Sequence, residues 1–216
     1  MRDYYEALEE LLSKTQTTHQ TEDRPLEEAE GYILAEALTV NYDAPMFDNS
    51  AMDGYAVCDL NRTEWEIIGV VAAGDDVTAT RLEPGQAVRI FNGAGIPANT
   101  DSVVPQENTT VTDSRVSVEQ ALKPSANIRR QGEELKKGDV LVSSHTVISP
   151  AAIGLLASQG YASVSCFKPL TLTLFSTGDE LLSLTEPLAP GKIYDSNRPM
   201  LLGWLKHYAY LKVVNG

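Results

Sequence analysis

The sequence is 216 residues long, 43% hydrophobic and 22% charged, which is enough for one large or two small domains with a sizeable core and excludes disorder or low complexity. Its net charge of −13 argues against nucleic acid or an anionic membrane surface as the main partner. No apolar run approaches the roughly 18 residues of a membrane helix, and the N-terminus carries Asp3 and Glu6 where a signal peptide is basic and then apolar, so the cytoplasm is the expected compartment.

Acid is concentrated early: residues 1–122 hold 23 Asp and Glu against 7 Lys and Arg, and residues 123–216 hold 7 against 10. The C-terminal half is therefore the more anion-tolerant, although a solvated acidic helical face explains the early excess without any ligand. Tyr5, Leu8, Leu11 and Leu12 fall on one face of a helix predicted near 4–12. Leu26, Ala29, Ile33 and Ala37 repeat at helical spacing in a second near 26–37, opened by Pro25 and separated from the first by the polar stretch Thr15–Thr21. From Asn41 to about Val142 the short runs Glu66–Ala72, Ala87–Phe91 and Ser102–Val104 alternate with Gly, Pro and Asn, which predicts a β-rich domain. Thr109–Thr112 and Arg115–Val118 flank Asp113-Ser114 as a hairpin, and Lys137-Gly138-Asp139 is a turn before Val140–Val142.

Ser149 as N-cap, Pro150 at the first helical position and Gly160 as the stop predict a helix near 150–158. Leu170–Phe175 and Ala209–Val214, on either side of a helix over Pro199–Tyr208, form one β-α-β unit, the opening of a parallel sheet. One such unit cannot cover its own sheet, so the sequence reads as an α/β domain begun and not finished. The expected fold class is multidomain α+β. Its parts are a discontinuous helical linker or dimerisation domain (1–40 and 141–168), an inserted β-rich domain (41–140) and the beginning of an α/β domain (169–216).

Cys58 and Cys166 are far apart in strand-like segments, and His19, His145 and His207 show no metal-ligand spacing. Gly93-Ala94-Gly95-Ile96-Pro97-Ala98 fits a dinucleotide-binding pattern, but the residues after it read as a turn and a strand rather than the helix that motif needs, and nucleotide binding is rejected there. Ser176-Thr177-Gly178-Asp179-Glu180-Leu181 sits at the carboxyl end of the first parallel strand, where open α/β sheets place ligands. It reads either as hydroxyls and glycine backbone facing an oxyanion, with carboxylates holding a divalent cation, or as a surface loop with a capping Asp. Tyr194-Asp195-Ser196-Asn197-Arg198 is a helix N-cap or a ligand-binding turn. Asn127-Ile128-Arg129-Arg130-Gln131-Gly132-Glu133-Glu134 is an anion grip or a salt-bridged loop. The dense polar run from Phe47 to Val57 is a self-capping turn or a contact for a polar heteroaromatic ligand.

Together these segments resemble the molybdopterin molybdenumtransferase family, the molybdenum insertases that include the E domain of gephyrin. The resemblance is carried by Asp48-Asn49-Ser50-Ala51-Met52-Asp53-Gly54-Tyr55-Ala56-Val57, Arg89-Ile90-Phe91-Asn92-Gly93-Ala94, Asn127 to Glu133, Ser149-Pro150, Phe175 to Leu181 and Tyr194 to Arg198, in family order over nearly the whole chain. It implies insertion of molybdenum from molybdate into adenylylated molybdopterin with Mg2+ and release of AMP. The implied assembly is a homodimer whose active cleft lies between the α/β domain of one subunit and the β-domain of the other, with other molybdenum-cofactor biosynthesis proteins as further partners. By position it implies Asp53, Glu134 and Glu180 as catalytic acids, with Asp53 and Glu180 also as metal-binding residues. Ser50, Asn92, Arg129, Thr177, Gly178, Asp195 and Asn197 are implied as substrate-binding, the last two on the pterin side.

Three departures stand against that pattern. Asn92 replaces a usual Thr, Glu134 replaces a usual Asp, and the family's later glycine-rich loop, its Pro-Gly-x-Pro segment and final β-barrel are absent. The chain alone is accordingly expected to be inactive. The alternative reading is a non-catalytic dimerisation or scaffold module derived from the insertase N-terminal half; an unrelated anion-binding α/β protein is a third.

Overall fold

A computed structural model describes residues 3–15 and 19–215. Residues 16–18 of the expected polar spacer Thr15–Thr21 lie outside the described residues. The N-terminal segment holds α1 (Tyr4–Lys14), β1 (Thr21–Pro25), a short 3-10 turn at Leu26–Glu28 and β2 (Leu38–Thr39). There follow β3 (Asn49–Ser50), β4 (Gly54–Val57), β5 (Glu64–Val71), β6 (Gln86–Ile90), β7 (Ser102–Pro105), β8 (Thr110–Thr112), β9 (Arg115–Ser117) and β10 (Ile128–Arg129). The remainder comprises β11 (Val140–Val142), α2 (Pro150–Ser158), β12 (Ser163–Phe167), β13 (Leu170–Leu174), β14 (Leu181–Leu182), β15 (Ile193–Tyr194), α3 (Asn197–Leu205) and β16 (Leu211–Asn215). No helix among the described residues is long and apolar enough to cross a membrane.

The chain forms two compact units, one built from the segments up to Thr39 and from Val140 onward, the other from Val40–Asp139. The second unit is organised by a six-stranded sheet in the order β7-β4-β6-β5-β9-β8, antiparallel except for the β5–β6 pair. Successive residues of its strands enter different cores. Ala56, Val88, Ile90 and Val103 join Leu82 and Val71 in one cluster, while Val57, Ala87 and Val104 join Trp65 and Val116 in another. The period of two thus buries both faces of the sheet. Trp65 is fully buried, and its indole N–H donates to the Cys58 carbonyl at 2.8 Å, so burial leaves no orphan donor. The predicted hairpin forms, with β8 and β9 joined through Asp113 in the left-handed region (φ 53°). Gly54 is required by a close backbone approach: a Cβ there would stand 1.9 Å from the Val104 carbonyl oxygen.

In the first unit, β1 pairs with β12 and β2 with β11, both antiparallel. Leu26, Ala29 and Leu34 from the N-terminal segment share one core with Val142, Ile148, Leu156, Val164 and Cys166. Helix α2 begins where its local signals predict: Ser149 Oγ accepts the Ala152 N–H at 3.2 Å, Pro150 needs no donor, and Gly160 turns the chain at φ 78°. Tyr161 OH donates to the Thr39 carbonyl at 2.7 Å, tying the end of that turn to β2. Further on, β13 and β16 pair in parallel with α3 between them, and β14 and β15 form a second short parallel pair.

Of the helices expected in residues 1–40 and 141–168, those near 4–12 and 150–158 form and the one over 26–37 does not. The predicted helix over 26–37 is a single 3-10 turn, after which the chain turns at Glu30-Gly31 and makes isolated β-bridges at Ile33 and Leu34. Gly31 takes φ 78°, and the amides of Gly31, Leu34 and Ala35 donate to the carbonyls of Ile148, Thr146 and Ser165. These long-range acceptors displace the i−4 carbonyls of a helix, so the helical apolar spacing here serves a core of paired extended segments instead. Helix α1 forms with Asp3 as its N-cap but buries none of its residues.

Candidate functional site

In the second unit the polar loops gather at one end of β3 and β4. Ser50 is fully buried, and its hydroxyl donates to the Met52 carbonyl at 2.7 Å; its own N–H reaches the Ala94 carbonyl and its carbonyl accepts the Gly93 N–H. Ser50 therefore builds the turn, with its side chain already committed. The exposed Asp53 follows, and its Oδ1 accepts the backbone N–H of Asn92 at 2.8 Å, so these two expected site residues meet. Because the backbone makes that contact, the Asn92 side chain stays available, and the departure from Thr does not disturb it.

The two arginines of the 127–134 segment divide their work. Arg130 pairs with Asp48 at 2.6 Å and donates to Ser125 Oγ at 2.7 Å, while its own N–H donates to Glu133 Oε2. Burial pushes the Asp48 carboxyl up, but the Gln131 N–H and the Arg130 guanidinium outweigh it and hold the group below its ordinary value. Arg130 is thus a salt-bridged loop residue. Arg129, exposed on β10 opposite Asn49, has no side-chain hydrogen bond among the described residues. Glu134 is exposed and held through its N–H to the Ala44 carbonyl at 2.9 Å.

The remaining expected residues lie in the first unit, around a cleft of about 330 Å3 beyond the carboxyl end of β13. Ser176, Thr177 and Glu180 line one side, and Asp195, Asn197 and Arg198 the other. Asp195 accepts the Ser176 hydroxyl and the N–H groups of Arg198 and Asn197, which hold its carboxyl below the usual range. Of the two sequence readings of Asp195 the cap is the one seen: it accepts N–H groups of the first turn of α3, and by taking Ser176 it joins that helix to the loop after β13. Gly178 adopts φ 151°, and a Cβ there would meet Glu180 Oε2 at 2.7 Å, so the Glu180 carboxylate lies against bare backbone.

Asp53 and Glu180 belong to different units. Among the described residues no group of three or more His, Cys, Asp or Glu side chains could hold a metal ion. Magnesium keeps several waters and takes one or two carboxylates together with substrate phosphate oxygens, so Asp53 or Glu180 would be the residues to hold it. Burial raises both thiols, Cys58 and Cys166, which keeps them protonated and poorly nucleophilic. Sequence reading missed Asp48, Arg89, Gln106 and Ser176 as supporting residues. Three of these stand in or at the edge of the motifs already singled out, and only the contacts they make distinguish them.

A family model for the MoeA N-terminal region (domain I and II) matches residues 2–160. The chain is 41% identical over 197 residues to a molybdopterin molybdenumtransferase of Haemophilus influenzae, covering 89% of this chain and 48% of that protein. It is 36% identical over 191 residues to one of Staphylococcus epidermidis, covering 85% of this chain and 45% of that protein. The chain spans about half the length of these curated relatives. A solved structure, the molybdopterin biosynthesis moeA protein from Pyrococcus horikoshii OT3, matches it with a TM-score of 0.86 at 30% identity, over 98% of this chain and 58% of that one. The family match takes in Ser50, Asp53, Asn92, Arg129 and Glu134, and the structural match extends the likeness over the cleft at Glu180 and Asp195. This chain belongs to the MoeA N-terminal region family.

Proposed function

We propose that the chain acts in molybdenum cofactor biosynthesis, contributing residues to the insertion of molybdenum from molybdate into adenylylated molybdopterin with release of AMP. The observation that carries this reading is the likeness, across 89% of the chain, to a protein named molybdopterin molybdenumtransferase. The positions expected to act also stand on two built polar clusters. In this reading Arg129 receives an anionic oxygen of molybdate or phosphate, and Thr177 with the Gly178 backbone receives another. Asp195 and Asn197 face the pterin side. Asp53, Glu134 and Glu180 would repel those anions, so their partners are O–H and N–H donors of the substrate or a positioned water. A magnesium ion, where bound, would be held by Asp53 or Glu180 with substrate oxygens and would offset the charge of those anions. Residues 169–216 begin the molybdopterin-binding α/β domain, the active assembly is a homodimer, and the chain by itself does not complete insertion.

The test is a reconstitution assay with adenylylated molybdopterin, molybdate and magnesium salt. The 216-residue chain should give no cofactor above background. A chimera carrying the corresponding C-terminal half of the Haemophilus influenzae relative should produce it, and Asp53→Asn or Glu180→Gln in that chimera should lower the rate at least tenfold. A folded chimera that binds substrate without turnover would overturn the enzymatic reading in favour of the scaffold.

A further inference from the structure

Asp53 hangs from two donors on two different loops. Its carbonyl accepts the Gln106 N–H at 3.0 Å, from the turn after β7, and its Oδ1 accepts the Asn92 N–H at 2.8 Å, from the loop after β6. Arg89, on β6, touches the surroundings of both. Its Nη1 donates to the carbonyl of Gly54, the residue after Asp53, at 3.0 Å, and its Nη2 donates to the side-chain oxygen of Gln106. The guanidinium also lies 5.1 Å from the ring of Tyr55, its partner across the β4–β6 ladder, and 5.1 Å from the ring of Phe91, which directly precedes Asn92. A planar fork can hold two acceptors and two ring faces at once; a lysine ammonium, a point charge on a flexible stem, cannot hold that set.

We infer that Arg89 is a positioning residue for Asp53, fixing the loop that holds its carboxylate and the turn that holds its backbone carbonyl, and that it does not itself grip an anion. The inference rests on the reading that Asp53 acts on the substrate. Both terminal nitrogens of Arg89 are engaged within the unit, whereas Arg129 is exposed with its guanidinium unengaged among the described residues. Asp53 needs such outside support because it is exposed, at the tip between β3 and β4, with no core packing to set its rotamer.

The test uses the full 216-residue chain, with the Asn92 amide proton as the reporter. In the wild type that proton should be protected from exchange, and Asp53→Ala, which removes its acceptor, should speed its exchange at least tenfold. Arg89→Lys retains the positive charge; it should speed Asn92 hydrogen exchange at least tenfold, while the buried Trp65 keeps its fluorescence. Unchanged Asn92 exchange in Arg89→Lys would overturn the inference. Should Arg89→Lys fail to fold, Gln106→Ala removes one of its two acceptors without deleting the Gln106 N–H. It should speed Asn92 exchange about threefold, and wild-type exchange there would overturn the inference. In the chimera assay Arg89→Lys should lower kcat about tenfold with KM unchanged, and Asp53→Asn with Arg89→Lys should be no slower than Asp53→Asn alone. A wild-type chimera without turnover would sink the proposed function, whereas the amide measurements decide Arg89 independently.

Discussion

Asp48 and Arg130 are 82 positions apart in sequence and meet at 2.6 Å, with the other carboxylate oxygen of Asp48 taking the Gln131 N–H at 2.8 Å. One side chain thereby fixes both a guanidinium and the backbone beside it, and holds β10 in register with β3. The pair is partly solvated, with side-chain exposures of 51% and 37%, so its Coulomb energy is screened and the hydrogen bonds carry most of its effect. Arg130→Ala should destabilise the chain by about 1 kcal/mol in urea unfolding. Arg129→Ala, one residue away, should change stability by less than about 0.5 kcal/mol and act only on anion binding.

Acid should expose the same contact. The folded-state pKa of Asp48 is lowered, so its contribution to stability is fully present above the ordinary aspartate value near about 4 and is lost as pH falls through the lowered folded value. Unfolding midpoints measured between pH 5 and pH 2.5 should fall more steeply in the wild type than in Asp48→Asn. Asp195, also lowered, should behave in the same direction. Parallel curves would show that Asp48 is not held by its partners in solution.

Gly54→Ala should cost about 3 kcal/mol or prevent folding, because the new methyl meets the Val104 carbonyl at 1.9 Å and β7 cannot stay paired with β4. Gly69→Ala, in the same sheet and with nothing within 4 Å, should stay within about 1 kcal/mol of wild type. Thermal melts of the two variants give the comparison directly.

Leu156→Ala empties a fully buried position in the core shared by the N-terminal segment and the segments after Val140. A loss of about 2–5 kcal/mol is expected. Hydrogen exchange should quicken at Leu34 and Val164 together, and a change confined to α2 would show that the two segments do not share one cooperative core.

Asn92→Thr installs the residue usual at that position in the resembling family. Since Asp53 is held by the Asn92 backbone N–H, insertion by the chimera should change less than threefold, and the amide at that position in Asn92→Thr should stay protected from exchange. A tenfold change would show that the Asn92 side chain contacts the substrate.

The sequence alone determined those elements whose signals are local. The Ser149 cap, Pro150 and Gly160 bound α2 because capping is settled within a few residues. Asp113 marks the β8–β9 turn because its left-handed φ is an intrinsic tolerance. The apolar strand Leu170–Leu174 and the helix after it implied the parallel β13–β16 pair because the handed crossover leaves few other connections. The motifs also marked where polar chemistry concentrates, but not what each side chain does there. Only the tertiary structure decided that residues 31–35 are not helical, because the amides of Gly31, Leu34 and Ala35 find acceptors more than a hundred positions away that no local spacing encodes. It likewise decided which arginine is committed and which is free, and it brought Asp53 to the Asn92 N–H and Asp195 to Ser176. A residue's type states which hydrogen bonds it can make, whereas the partners available to it are set by chain segments that meet only in the folded state.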